Sequence, residues 1–475
     1  MLVWSPHIGV ALGILVAAFE LYRLALRLLV SWMALHFAAT SVGFLRRKPP
    51  KTPADPAEWP RVTVQLPVRN EFFTACRVLR AAAALDYPLD RLQIQVLDDS
   101  DDGTSDQLAH GVADLRARGL DVVHLRRKDP TGFKAGALEA GLAQASGDLV
   151  AMFDADFVPP PDFLRKTVPH FADEKVALVQ GAWSHLNREV SWFTRLQAQI
   201  FDALFLVEQT AKSRAGLPFQ FNGTAGLWRR SAIDAAGGWT FESLTEDLDL
   251  SIRVQMLGYR MLHLPEVRVP SELPTTLAAF RVQQRRWALG TAQLLRKRLV
   301  QVLTSNLPLR SRIAIAMQLG RHLVHPFVLL LVITAPITTL YWVDTPFEYG
   351  WLNAAVLALL TTCIAAQHLL GARAAGQSSL RALFYAPLVV PLAIGLVPTY
   401  CVALFYGLRD RAGVFFRTPK VLRLPENGEP DYRPRRSWVV LAEVSIGLAY
   451  VYFTAVALQR GFLQNGAFLG MIGLS

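Results

Sequence analysis

Apolar stretches long enough to cross a bilayer stand at both ends of this chain, and a polar, regularly patterned middle of about 210 residues separates them. Lipid offers no partners for free backbone groups, so spanning ends must be helical and the middle must bury a core of its own. The first apolar run covers Ile8 to Val30 and a second covers Leu28 to Phe44, which predicts one or two N-terminal spans. Glu20, Arg23 and Arg27 recur at helical spacing, so the later half of the first run reads as an amphipathic continuation or a tilted helix. A cleaved leader is not expected: no charged segment precedes the run and no small-residue cleavage site follows at the right distance. Arg46, Arg47, Lys48 and Lys51 follow at once and assign that flank to the cytosol.

Further apolar runs lie near 322–343, 351–371, 383–407 and 437–458. If 383–407 crossed the bilayer, the basic segment from Arg409 to Arg436 would fall on the side opposite the polar middle. Pro387, Pro391 and Pro398 also interrupt a spanning helix there, so an interfacial or re-entrant helix is expected. The resulting organisation is an N-terminal transmembrane region (1–45), a basic cytosolic linker (46–60), an α/β domain (61–274), interfacial amphipathic helices (275–320), transmembrane helices (321–371), an interfacial or re-entrant helix with a cytosolic loop (372–436), and a C-terminal transmembrane region (437–475). The 49 Lys and Arg against 38 Asp and Glu give a formal charge of +11. These cations border apolar runs and candidate diphosphate sites without forming a tail, which favours anionic lipid and anionic substrate and excludes nucleic acid. Cys76, Cys363 and Cys401 are far apart and odd in number, so neither a disulfide framework nor a zinc site is expected.

Within the middle, short β-branched runs alternate with helical patterns, the βαβ signature. Candidate strands are Val62–Val68, Leu92–Leu97, Asp121–Leu125, Leu149–Phe153 and Val176–Gln180, with helical patterns such as Phe73–Leu85 and Lys134–Ala145 between them. Ligands of open α/β sheets collect at the carboxyl ends of strands. One strand there ends in Asp98-Asp99-Ser100 and another in Asp154-Ala155-Asp156. Asp98-Asp99 alone reads equally well as a solvated turn. Two carboxylates two residues apart after a buried strand instead suit a hard cation that also grips a diphosphate, Mg²⁺ or Mn²⁺.

Further along stand Phe221-Asn222-Gly223-Thr224-Ala225-Gly226, Thr245-Glu246-Asp247 and Gln283-Gln284-Arg285-Arg286-Trp287. Asp247 opens a predicted helix, Leu248–Leu257, so it suits either a partner for the helix dipole or a general base. Arg286 suits a lipid-facing charge or a phosphate clamp, and Trp287 an interfacial anchor or a platform for a sugar ring.

The order of these motifs resembles the processive family-2 glycosyltransferases, the group of cellulose, chitin and hyaluronan synthases. The wording is most similar to the plant cellulose-synthase-like A and C proteins and their bacterial relatives: FNGTAGLWRR, GGW at 237–239, TEDLDL, SELP at 271–274, QQRRW and LLRK at 294–297. The resemblance is strong from Arg61 to Arg298. It implies a GT-A catalytic domain, a Rossmann-like mixed sheet, inserted between α-helical transmembrane segments. It implies that Pro67 to Glu71, including Asn70, together with Asp98 and Asp99, hold the nucleoside, and that Lys134 contacts the nucleotide. Asp154 and Asp156 hold the metal on the diphosphate. Asp247, within Thr245-Glu246-Asp247, deprotonates the acceptor hydroxyl, with inversion at the anomeric carbon. Asn222, Gly223, Gln283, Arg286 and Trp287 position acceptor and diphosphate. The segment containing Phe416, Arg417, Thr418 and Lys420 is similar in location to a gating loop, although its residues differ from the family's pattern and no regulatory cyclic-nucleotide domain follows it.

The function expected on this basis is a multi-pass enzyme of the plasma or inner membrane with a cytosolic catalytic domain. It uses UDP-glucose or GDP-mannose to extend a β-linked glucan, mannan or glucomannan. A synthase adding one sugar to a lipid acceptor is the alternative, and a transporter or non-catalytic scaffold is disfavoured because every acidic position the chemistry requires is present.

Overall fold

The computed structural model describes residues 6–48, 52–341, 350–409 and 438–459. A single helix, α1 (Pro6–Arg46), replaces the two N-terminal runs. Nothing between Val30 and Trp32 breaks it: the stretch carries neither Pro nor Gly. Leu21, Leu28, Leu35 and Val42 recur every seventh residue along it and are all exposed, forming one apolar stripe. Its segment Glu20–Arg46 is long and apolar enough to cross a membrane.

The polar middle follows as β1 (Val62–Val68), α2 (Ala75–Ala83), β2 (Leu92–Asp98), α3 (Thr104–Ala117), β3 (Asp121–Arg126), α4 (Phe133–Leu142), β4 (Leu149–Met152) and α5 (Phe163–Thr167). It continues through β5 (Val176–His185), α6 (Trp192–Asp202), α7 (Thr210–Arg214), β6 (Gly226–Arg229), α8 (Arg230–Ala235), α9 (Glu246–Met256) and β7 (Arg260–Ser271). The seven strands form one sheet in the order β3-β2-β1-β4-β6-β5-β7. Strands β3, β2, β1 and β4 are mutually parallel, β6 runs antiparallel to both neighbours, and β7 is parallel to β5. The central strands β1 and β2 are covered on both faces, so even their polar residues Thr63, Gln65, Gln93 and Gln95 are buried. Gln65 Nε2 donates to Gln95 Oε1 across the two strands at 3.0 Å.

Helix α6 starts on a Ser191–Thr194 capping box and passes into α7 through a π-helical segment, Ala203–Gln209. Behind the sheet come α10 (Leu277–Leu303), α11 (Leu309–Gly320), α12 (His325–Tyr341), α13 (Gly350–Ala374), α14 (Ser379–Gly395), α15 (Val397–Leu408) and α16 (Trp438–Gln459). Helix α13 lies against α6: a Cβ on Gly371 would sit 2.7 Å from the Ala203 nitrogen, and His368 Nδ1 is 3.3 Å from the Gln199 carbonyl.

One expectation about this region is revised. The apolar face of α10 is covered by protein where lipid was expected. Leu294, Leu295 and Val302 pack with Leu248, Ile252, Ile315 and Leu319, while Ala288 and Leu289 meet Ala403. A Cβ on Gly407 would lie 2.7 Å from the Leu289 carbonyl, so α15 rides directly on α10. Pro387 and Pro391 sit within α14, and Pro398 lies in the first turn of α15, at the junction where the chain bends by 47°. That bent pair, and the pair Leu309–Gly320 with His325–Thr334 bent by 48°, pass the length and apolarity test together. The segment with Phe416, Arg417, Thr418 and Lys420 lies outside the described residues.

Candidate active site

The carboxyl ends of β1, β2 and β4 open on one edge of the sheet. After β1, Asn70 takes a left-handed conformation (φ 54°), which its short amide tolerates. Its backbone N–H donates to Ser100 Oγ at 2.9 Å and its side chain exchanges two bonds with Asp101, joining the ends of β1 and β2. Pro67 lies within β1 opposite Leu97, and Glu71 Oε2 accepts from Thr74 Oγ1 at 2.9 Å.

Asp98 and Asp99 have separate environments. Asp98 is buried; Oδ2 lies 2.6 Å from Ser105 Oγ and 3.0 Å from His124 Nε2, and Oδ1 accepts the Ser100 N–H at 2.9 Å. Burial works against its charge, but the His124, Ser105 and Ser100 bonds prevail and hold its pKa at about 2. This carboxylate organises the turn with bonds internal to the protein. Asp99 is clamped by Arg127, with Nε to Oδ1 at 2.9 Å, and Arg127 also donates to the carbonyls of Thr131 and Phe133. The clamp shapes the loop entering α4, where Gly132 (φ 77°) and Phe133 (φ 49°) are left-handed and Lys134 follows.

Lys134 is where the motifs meet. Its Nζ lies 2.6 Å from Asp154 Oδ1, 3.8 Å from Glu246 Oε1 and 2.8 Å from the Gly223 carbonyl oxygen. Burial alone lowers a lysine pKa; here Asp154 and Glu246 outweigh it and the pKa is raised. Gly223 (φ 80°) brings its backbone so close that a Cβ there would stand 3.1 Å from Asp247 Oδ2 and 3.3 Å from Lys134 Nζ. Asp247 Oδ1 accepts the Leu248 N–H at 2.8 Å. Its pKa rises to about 7, first through burial and then through Glu246, against the opposing pull of Lys134, Leu248 N–H and Arg286. A carboxylate poised there is suited to taking a proton near neutrality.

The loop carrying Asn222 is fixed from behind. Gln180 Oε1 accepts the Asn222 N–H at 2.9 Å, Gln180 Nε2 donates to Gln209 in the π-helical segment, and Gln220 Nε2 donates to Asn222 Oδ1 at 2.7 Å. Thr224 Oγ1 accepts the Asp154 N–H at 3.0 Å, tying this loop to the end of β4. Asp156 is 5% exposed whereas the Asp154 side chain is one-third exposed. Among the described residues no group of three or more His, Cys, Asp or Glu converges as a metal cage. Two hard oxygen ligands on one short turn nevertheless fit a cation that takes its remaining ligands from a diphosphate and water.

Thr245 stands immediately before α9, its side chain making no cap bond, and is buried against α10, where a Cβ on Gly290 would come within 2.7 Å of Thr245 Oγ1. Gln293 Oε1 accepts the Leu244 N–H at 3.0 Å. Asp249 locks the two helices, accepting from Arg253 Nε and Arg298 Nε at 2.7 Å each. On α10, Gln283 is buried, Arg286 lies close enough to act on Asp247, and Trp287 packs edge-on to Phe201 with ring centroids 6.0 Å apart. The structure thus gathers Lys134, Asp154, Gly223, Glu246 and Asp247, sets Asp98 and Asp99 in their own clusters, and lines Gln283 and Trp287 along α10. Sequence reasoning missed Arg127, His124, Gln180, Asp249 and Gly290. For Arg127 a signal existed, the basic run Arg126-Arg127-Lys128 at the carboxyl end of a strand.

Residues 149–397, just over half of the chain, match the model of a family described as glycosyl transferase family group 2. The chain is 39% identical over 279 residues to glucomannan 4-beta-mannosyltransferase 1 of Oryza sativa subsp. japonica, covering 55% of this chain and 54% of that protein. It is 41% identical over 251 residues to glucomannan 4-beta-mannosyltransferase 2 of Arabidopsis thaliana, covering 52% and 47%. The chain therefore spans about half the length of the curated relatives it matches. Among solved structures, the mannosyltransferase PcManGT from Pyrobaculum calidifontis, in complex with GDP-Man and Mn²⁺, superposes with a TM-score of 0.53 at 23% identity over 82% of this chain and 99% of that one. That likeness shows the fold, a GT-A-like mixed α/β sheet.

Proposed function

We propose, from the premise that this chain belongs to glycosyl transferase family group 2, that it is a membrane-embedded, inverting mannosyltransferase building a β-linked mannan or glucomannan. GDP-mannose is the favoured donor and UDP-glucose the alternative, since relatives 39% and 41% identical over 55% and 52% of the chain carry mannosyltransferase names. The observation that carries the reading is the convergence of Lys134, Asp154, Glu246 and Asp247 around the Gly223 backbone.

In this mechanism Asp247, with its pKa near 7, takes the proton of an acceptor hydroxyl as that oxygen attacks the anomeric carbon of the donor. The sugar–phosphate bond breaks on the opposite side and the nucleoside diphosphate departs, which inverts an α-linked donor to a β-linked product. Lys134 supplies fixed positive charge beside the leaving diphosphate. Asp154 and Asp156 would hold a Mg²⁺ or Mn²⁺ ion, which when bound neutralises charge on that diphosphate. Asp98, Asp99 and the Asn70 turn shape the nucleoside end, while Gln283, Arg286 and Trp287 border the acceptor end. Trp287 offers an apolar ring to a pyranose.

The test gives the purified full chain radiolabelled GDP-mannose or UDP-glucose with Mn²⁺ and a β-mannan oligosaccharide, then sizes the product. A lengthening glycan that disappears in Asp247→Asn, with donor binding retained, supports the reading. A single sugar on lipid overturns the polymer, and turnover of Asp247→Asn within about tenfold of the parent removes the base.

A further inference from the structure

Helices α6 and α14 pack together, joined by Gln199 Nε2 donating to the Ala382 carbonyl at 2.9 Å. Between them lies a cavity of about 390 Å³ lined by Arg195, Leu380, Arg381, Phe384 and Tyr385. Its apolar rim is wide open: Leu380 is 78% exposed, Phe384 73% and nearby Trp192 61%. Isolated exposed apolar residues are ordinary, but three large ones beside cations mark an interaction surface. Arg195 and Arg381 face it, and Arg373 at the end of α13 reaches Ser379 Oγ at 3.0 Å. Glu189 faces Arg195 at 2.9 Å and Arg381 at 4.0 Å, half exposed, so it offsets only part of this charge and its ion pairs are worth little in water.

We propose that this cavity binds the phosphate headgroup of an anionic phospholipid from the cytosolic leaflet. Two guanidinium groups bridging one phosphate make stronger bonds than either makes with the exposed Glu189 carboxylate. The acyl chains of that lipid cover Leu380 and Phe384, and the Trp192 indole lies at headgroup depth, where its ring is favoured. A free phosphate satisfies the arginines but leaves this apolar rim in water. The surface continues into α14 and α15, the bent apolar pair able to enter a bilayer. Nothing in this site touches Lys134, Asp154 or Asp247, so lipid binding and chemistry are separable.

This proposal rests on the membrane placement given under Proposed function. The full chain is placed in nanodiscs of phosphatidylcholine with and without phosphatidylglycerol, and the lipids it retains on extraction are weighed by native mass spectrometry. We expect roughly tenfold enrichment of phosphatidylglycerol over phosphatidylcholine, falling to near parity in Arg195→Gln/Arg381→Gln. Arg381→Gln alone, at a side chain 69% exposed, keeps the test decisive if the double variant unfolds, and lowers enrichment several-fold. Lys166→Gln, an exposed cation of α5, leaves it unchanged. Enrichment that survives both arginine variants overturns the site, as does a thermal stabilisation by phosphatidylglycerol that inorganic phosphate reproduces in phosphatidylcholine discs. A chain recovered without detergent and free of vesicles removes the membrane placement itself, whereas one held in the bilayer that retains both lipids equally removes this site alone.

Discussion

Replacing Gly223 by alanine separates backbone strain from damage to the chemistry. The residue has φ 80°, so any L side chain there costs about 1–2 kcal/mol. The added methyl would stand 3.1 Å from Asp247 Oδ2 and 3.3 Å from Lys134 Nζ, closer than ordinary contact, so both groups must yield by a few tenths of an ångström. It also occupies the approach to the carboxylate, which an acceptor hydroxyl must reach within about 3 Å. Gly119 is the control: its φ is 85°, and a Cβ there meets nothing within 4 Å. Both Gly→Ala variants should lose about 2–8 °C in Tm, since each kcal/mol is worth about 2–4 °C in a domain of this size. Only Gly223→Ala should lose kcat/KM, by about tenfold to a hundredfold, because displacements well under 1 Å at a reacting centre act on that scale. Radiolabelled donor consumption, measured beside thermal unfolding, gives both numbers. Activity of Gly223→Ala within about threefold of Gly119→Ala would falsify the reading of Gly223 as the floor of the catalytic pocket.

Three further outcomes test the electrostatics. Asp247 must be ionised to accept a proton and its pKa is about 7, so kcat/KM should climb with pH from 5 and level off above about 7; a flat profile over that range assigns the base elsewhere. Asp98 has a folded pKa of about 2, below the ordinary 3.8, so its stabilisation, on the order of 2 kcal/mol, is present above about pH 4 and is lost as pH falls toward 2. His124→Ala removes the bond that most lowers this pKa, so acid unfolding should begin at a higher pH, with Tm at neutral pH lower by the equivalent of about 1–2 kcal/mol; an unchanged acid limb counts against it. Asp156→Ala should weaken nucleoside diphosphate binding far more with Mn²⁺ than in EDTA, and calorimetry finding equal losses in both conditions would argue against a cation on this turn.

Local pattern was enough for β1 to β5 and for the motifs, and it missed β6 and β7. Short β-branched runs marked β1, β2 and β4, and acidic pairs at strand ends marked one edge of the sheet. Positions such as Gly223 and Asp247 were legible because each lies within a short, distinctive string of residues. What each carboxylate does was not legible. Asp98 and Asp99 are neighbours of one type, yet one is enclosed by Ser105 and His124 while the other is clamped by Arg127, 28 residues away. Asp249 and Arg298 meet across 49 residues, and Gly290 is required by Thr245, which no spacing rule relates. The face of α10 shows the same limit: its leucines read alike whether they meet lipid or α15, since hydropathy records that a side chain leaves water and not what receives it. The sequence by itself determined β1 to β5, the apolar ends and the inventory of acids and bases, whereas β6 and β7 emerged only in the folded sheet. Tertiary structure decided burial, partner and therefore protonation, because desolvation and charge pairing depend on distances of a few ångströms between segments that the chain order leaves far apart.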